Sequence, residues 1–291
     1  MTVMAAGLGG LLAAREGLFH WDSWLLCLLG LVFAHATNNL LNDYVDSRRG
    51  IDKNNYYRNQ YGVHVLEDGL LSPAQFWRYV FFTGGVAIVA GLTLVSQHGG
   101  QTLNLMLAGA FFVLFYTWPL KYYGLGEPAV LLVWGPLMMG GTFYVVAGQW
   151  SWPVTWLSLL YALGPTSVLF GKHIDKIEMD EEKQVRTLPV LLGEHRARRW
   201  VIVMVTLQYL LTIGLVVGGL FHWALLLPLL SLRSLWRLIA TYRCPKPEQR
   251  PERYPLNIWP LWFSAYAFRH TRIFTSLFVL GLLLDLALGP H

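Results

Sequence analysis

The chain has 291 residues, of which 55% are apolar, 14% aromatic and only 13% charged, with a mean hydropathy of +0.43. Soluble domains carry about a quarter charged residues, so this composition excludes an ordinary soluble globule. It indicates an all-α polytopic membrane protein in which residues 1–291 form one integral membrane domain. The formal net charge of +5 calls for no nucleic acid partner; loop topology explains it, and the surplus leaves positive surface for anionic lipid headgroups or a phosphorylated substrate.

Apolar runs near the roughly 20 residues needed to cross a bilayer predict helices at about 21–41, 78–96, 103–119, 127–147, 153–171, 200–219, 221–240 and 271–289. A ninth, at about 1–14, is too short to span alone. Its Ala5-Ala6-Gly7 and Gly9-Gly10 suit close helix packing. With no charged flank before it and no small-residue cleavage site after it, it reads as the remaining part of a first membrane helix rather than a signal peptide.

The second helix ends in Asn38-Asn39-Leu40-Leu41-Asn42-Asp43-Tyr44-Val45-Asp46. His35, Asn39, Asn42 and Asp46 recur at helical spacing with Asp43 beside them, so all share one face. Ionisable groups in hydrocarbon cost a few kcal/mol each, so by default they face a cavity, a partner or a metal. The chain continues through Arg48, Gly50, Asp52 and the pair Asn54-Asn55 into a polar stretch to Ser72. The loop after the predicted fourth helix carries Tyr116 and Lys121 around Pro119. After the sixth comes Lys172-His173-Ile174-Asp175-Lys176-Ile177-Glu178-Met179-Asp180. The segment from Cys244 to Pro260, rich in proline and charge, reads as a cap or loop without assignable chemistry.

With nine helices, every Lys and Arg of the 22 except Arg15 falls on one side. By the positive-inside rule that side is cytoplasmic. Both acidic segments and the Pro119 loop therefore meet at the cytoplasmic ends of the helices. Cys27 and Cys244 map near opposite faces, which predicts neither a disulfide nor a thiolate metal cluster.

Carboxylates with amides are hard oxygen ligands suited to Mg²⁺, which is usually held by a few carboxylates together with substrate phosphates and waters. Asn39, Asn42, Asp43, Asp46, Asp175, Glu178 and Asp180 are the candidate metal ligands. Arg48, Lys121, Lys172, Lys176 and Arg186 are placed to neutralise a diphosphate. The bland alternatives are interfacial ion pairs for the carboxylates, topology anchors for Arg196, Arg198 and Arg199, and a hydrogen-bonded bundle residue or surface group for His35 and His173.

At these residues the chain resembles the UbiA superfamily of intramembrane prenyltransferases, and in particular its dihydroxynaphthoate branch. Asn42-Asp43-Tyr44-Val45-Asp46 with Gly50 and Asp52 is similar to that family's first Asp-rich motif. The run from Tyr116 to Glu127 looks like its loop after helix 4, and Arg186-Thr187-Leu188-Pro189-Val190 with Leu192-Gly193 resembles the segment after its second Asp-rich motif. Lys176 departs from the pattern, standing where an Asp is expected, with Asp175 or Glu178 as substitutes. So does His64, where an Arg is expected. The resemblance implies a nine-helix bundle around a central cavity, Mg²⁺, a polyprenyl diphosphate donor and an aromatic or quinone-precursor acceptor. Lys121 would contact the donor diphosphate, and Tyr116 would line the cavity beside the developing allylic cation. A UbiA-like enzyme with a phenolic, glycerol-lipid or intramolecular acceptor, and a membrane transporter, are the competing readings.

Overall fold

The computed structural model describes residues 1–51 and 65–288. The sequence readings at Asp52, Asn54, Asn55 and His64 lie outside the described residues.

Helix α1 (Thr2–Arg15) precedes α2 (Trp21–Arg48), and α3 (Pro73–His98) and α4 (Gly100–Phe115) follow. The run Gly126–Ala147 is α5 and Trp152–Asp175 is α6. Two short helices, α7 (Ile177–Glu182) and α8 (Leu188–Leu192), lead into α9 (Glu194–Val217). The run Trp223–Arg243 is α10, and α11 (Phe263–Leu288) closes the bundle. Among the described residues seven of these, α2, α3, α5, α6, α9, α10 and α11, are long and apolar enough to cross a membrane. The helices α1 and α4 are apolar but shorter, with 14 and 16 residues. No strand forms among the described residues; one isolated parallel bridge joins Tyr123 to Arg186.

Where helix ends differ from expectation, the causes are specific. The third helix begins at Pro73 rather than near 78 because Ser72 and Gln75 form a reciprocal cap and Pro73 fits the first turn. The fourth stops at Phe115, since the residue before Pro119 is steered away from helical geometry. The last starts at Phe263 rather than 271 because the Asp175 carboxylate, from a distant segment, receives the N–H groups of Phe263 and Ser264 at 2.9 and 3.0 Å. Within α5 the backbone widens to a π-type turn over Val133–Gly140, where Pro136 supplies no N–H.

The core forms where α6, α9 and α11 meet: Leu157, Leu160, Phe170, Val201, Val205, Phe274 and Phe278 are all buried. Gly171 sets the approach of α6 to α11, since a Cβ there would lie 2.6 Å from the Tyr242 hydroxyl and 2.8 Å from the Ser264 backbone. At the opposite end, Arg15 of α1 donates to Asp285 of α11, whose other oxygen accepts the His222 N–H at 2.6 Å. Asp285 is fully buried, and Arg15 supplies its countercharge. Cys27 is a buried free thiol and Cys244 an exposed one. A cavity of about 1450 Å³ lies between α2 to α5 on one side and α6 with α11 on the other.

Candidate active site at the acidic end of the cavity

The polar stripe of α2 divides between the cavity wall and the loop contacts beyond it. His35, Asn38 and Asn39 line the cavity, and the His35 ring nitrogen Nδ1 pairs with the Thr2 hydroxyl at 2.7 Å. One turn further along, Asn42 Oδ1 accepts from the Thr117 hydroxyl at 3.2 Å. Asp43 and Asp46 are both buried, at 8% and 4% exposure.

Between Phe115 and Gly126 the chain doubles back through a cis Trp118–Pro119 peptide and a short 3-10 turn, Leu120–Tyr122. This turn carries Lys121 inward, where Nζ donates to Asp46 Oδ2 at 2.7 Å. Burial by itself would lower the Lys121 pKa; the charge of Asp46 and its hydrogen bond outweigh that, and the pKa is raised above the ordinary lysine value. The second oxygen of Asp46, Oδ1, is buried without a hydrogen-bond partner among the described residues. Tyr116 lines the cavity, and burial pushes its phenol up to about 12.

The second acidic segment repeats this device. Lys176 Nζ donates to Asp180 Oδ1 at 2.7 Å, with both residues at or below 5% exposure, and Asp180 Oδ2 is again without a partner among the described residues. Two buried lysine–carboxylate pairs, each with one oxygen left over, thus stand on segments that three contacts draw together. Lys183 Nζ donates to the Ile51 carbonyl, Ile51 packs with Tyr122 and Val185, and the Tyr123–Arg186 bridge joins the two loops.

The other predicted residues divide by position. Lys172 lines the cavity. Arg48, Glu178 and Arg186 are exposed, and the Arg48 guanidinium lies over the Tyr44 ring, 5.4 Å from its centroid. Asp175 is committed elsewhere: besides the two backbone bonds, its Oδ2 accepts the Ser264 hydroxyl at 2.7 Å, so the carboxylate caps α11. His173 is a buried bundle residue whose Nδ1 meets Glu127 Oε1 at 2.5 Å. Arg198 packs 3.3 Å from Glu194 and over Phe263, an interhelical role rather than a surface anchor.

Sequence reasoning assigned no role to Glu127, which is 1% exposed and ties three elements together: Oε1 meets His173 on α6, and Oε2 accepts the Leu188 N–H at 3.3 Å. Its position at the head of an apolar helix was the available signal. It also passed over Arg272, which lines the cavity from α11, because the helix was started at the residue before it.

The chain belongs to the UbiA prenyltransferase family, whose profile matches residues 3–261. It is therefore a prenyltransferase. The 1,4-dihydroxy-2-naphthoate octaprenyltransferase of Escherichia coli (strain K12) is 30% identical over 75% of this chain and 69% of its own length. The fold is shared with solved UbiA homologues: the apo form from Aeropyrum pernix K1 superimposes with a TM-score of 0.71 at 15% identity, covering 98% of this chain and 97% of that one. The homologue from Archaeoglobus fulgidus bound to DMAPP and Mg²⁺ gives 0.57 at 14% identity, covering 96% and 97%.

Proposed function

We propose that this chain transfers a prenyl group from a prenyl diphosphate to an aromatic, quinone-precursor acceptor within the membrane, releasing diphosphate, with its site opening at the cytoplasmic ends of the helices. The observation that carries the reading is the pair of buried lysine–carboxylate contacts, Lys121–Asp46 and Lys176–Asp180, converging beside an apolar cavity. The A. fulgidus homologue's bound DMAPP and Mg²⁺ support the donor and the cation. The E. coli relative's name, a naphthoate octaprenyltransferase, supports an aromatic-acid acceptor.

The residues fit a magnesium ion in donor chemistry. Asp46 Oδ1 and Asp180 Oδ2 are buried oxygens without partners among the described residues, and Mg²⁺ is held by one or two carboxylates plus substrate phosphates rather than by an all-protein cage. That agrees with the finding that no three His, Cys, Asp or Glu side chains cluster closely enough to form such a cage among the described residues. No more than two of Asp43, Asp46 and Asp180, with Asn39 or Asn42, would hold an ion at a time; Asp175 is left out because its oxygens cap α11. When bound, the ion would neutralise charge growing on the departing diphosphate.

Lys121 and Lys176 supply the rest of that neutralisation, exchanging a carboxylate for a diphosphate oxygen when the donor arrives. The allylic C–O bond breaks with its electron pair passing to diphosphate, and the acceptor ring carbon forms the new C–C bond and then loses its proton. Tyr116 presents its ring at the cavity wall, where an aromatic face is worth about 0.5–2 kcal/mol to a cation. The apolar walls exclude water that would otherwise quench the cation. The deciding experiment incubates purified protein with a matrix of prenyl diphosphates and aromatic acceptors, with MgCl₂ or EDTA, and reads products by mass spectrometry. Magnesium-dependent prenylated product supports the reading; absence of diphosphate release from every donor overturns it.

A further inference from the structure

A second polar feature of the cavity lies away from the acidic end. Phe268, Thr271, Arg272, Thr275, Ser276 and Val279 line the cavity from α11, at spacings that put them on one helical face. Their depth is fixed by the neighbouring helix: Thr271 Oγ1 donates to the Gly164 carbonyl at 3.2 Å. Gly164 stands eleven residues from the Asp175 end of α6, about 16 Å along the axis at 1.5 Å per residue. Arg272, next in the chain, is thus anchored near the middle of a membrane-crossing array.

An arginine at that depth costs roughly 2.5–3.5 kcal/mol by insertion scales and marks a functional site by default. Arg15 and Arg198 are paired with carboxylates. Arg272 is exposed to the cavity side and has no hydrogen-bond or ion-pair partner among the described residues. Its side chain leans toward the start of α11, back toward the acidic end, with the Thr275 and Ser276 positions one turn beyond. A planar guanidinium matches a carboxylate in two parallel hydrogen bonds, which an ammonium cannot reproduce. An acceptor that is itself an acid needs such a seat, since Asp43, Asp46 and Asp180 would repel it from the diphosphate end.

We propose that Arg272, with the hydroxyls of Thr275 and Ser276, forms an acceptor subsite that binds the carboxylate of an aromatic acid. The proposal rests on the prenyl-transfer reading and adds to it a specificity-determining residue on α11.

The test measures direct binding by quenching of the chain's 13 tryptophans, using full-length protein in nanodiscs. The probes are 1-hydroxy-2-naphthoic acid, 1-naphthol as its counterpart without the carboxylate, and inorganic diphosphate with Mg²⁺. Arg272→Gln is expected to weaken the acid at least tenfold while leaving 1-naphthol and diphosphate binding unchanged; Arg272→Lys falls in between. Unchanged acid affinity, or equal weakening of acid and naphthol, overturns the proposal. A loss confined to diphosphate assigns Arg272 to the donor and also overturns it. Repeating the series in phosphatidylcholine and phosphatidylglycerol discs separates an acid ligand from a lipid phosphate: an Arg272 effect confined to the anionic discs overturns the proposal. Retained diphosphate binding in Arg272→Gln shows that the variant is folded. Failure of the prenyl-transfer reading has its own signature, absence of product and of magnesium-dependent diphosphate binding in the unaltered protein.

Discussion

Removing the Lys121 ammonium, as in Lys121→Met, tests the central contact of the site. Nζ and Asp46 Oδ2 are 2.7 Å apart, with side chains 10% and 6% exposed. At an effective dielectric of 20 the attraction is about 6 kcal/mol, against which both groups give up hydration. Deleting one member of such a buried pair strands the other and typically costs about 3–5 kcal/mol; an exposed pair is worth about 0–1. Reversible unfolding in mixed micelles should therefore show Lys121→Met destabilised by about 3 kcal/mol, and Asp46→Asn combined with it should recover most of that loss. Because the folded-state pKa of Lys121 is raised, its contribution is fully present below the unfolded lysine value of about 10.4 and fades only as pH rises through the folded value. The wild-type advantage should accordingly be flat from neutrality to about pH 10. In turnover, loss of a charge-assisted contact worth about 1.5–3 kcal/mol should raise the donor KM about ten- to a hundredfold. A destabilisation under 1 kcal/mol together with an unchanged donor KM would refute the burial of the pair and remove the Pro119 loop from the site.

The two carboxylates of the second segment should separate by readout. Asp180→Asn is expected to depress the donor kcat/KM at least tenfold and, by stranding the Lys176 ammonium, to cost about 3 kcal/mol of stability, whereas Asp175→Ala, which strips the cap from α11, should cost about 1–3 kcal/mol of stability with the donor kcat/KM of the folded protein changed less than tenfold; the reverse pattern in kcat/KM would exchange their roles. Asp43→Asn should abolish product formation in protein that still elutes as a folded particle, and near wild-type product formation at limiting Mg²⁺ would remove it from the ligand set. At the far end, Asp285→Leu should destabilise by about 3–5 kcal/mol by stranding Arg15, while Arg15→Met with Asp285→Leu should be close to neutral; additive losses in thermal unfolding would show that the two side chains do not interact.

How much of this was legible in the chain follows from which interactions are local. The face of α2 that carries Asn39, Asn42 and Asp46 was readable because helical spacing alone brings those side chains to one side, where Asn39 lines the cavity and Asp46 meets Lys121. Lys121 was readable as a basic residue in a proline turn, but its partner was not: Asp46 is 75 residues away, and no local pattern chooses one carboxylate among several. The Lys176–Asp180 pair is local, from the residue before α7 to a position four residues on, so the spacing rule was enough to offer it, although the sequence reading gave the two residues separate roles.

Asp175 and Arg272 show where local reasoning stops. Both depend on where α11 begins, and its sequence start is ambiguous because the apolar run weakens among Arg269, His270 and Arg272. The start is set instead by three hydrogen bonds that reach across from the end of α6. Once Asp175 caps Phe263 and Ser264, the helix gains two turns, and Arg272 moves from an interfacial position to one opposite Gly164 in the middle of α6. A residue that reads as a topology charge at a helix end thereby becomes an arginine at mid-membrane depth, and the same carboxylate that leaves the metal ligand set is the one that carries Arg272 to the cavity wall. The two reassignments are therefore one event. Disrupting the Asp175 cap should weaken acceptor-acid binding along with stability, while diphosphate binding at Asp46 and Lys121, which rest on α2 and the Pro119 turn, should persist in whatever fraction remains folded.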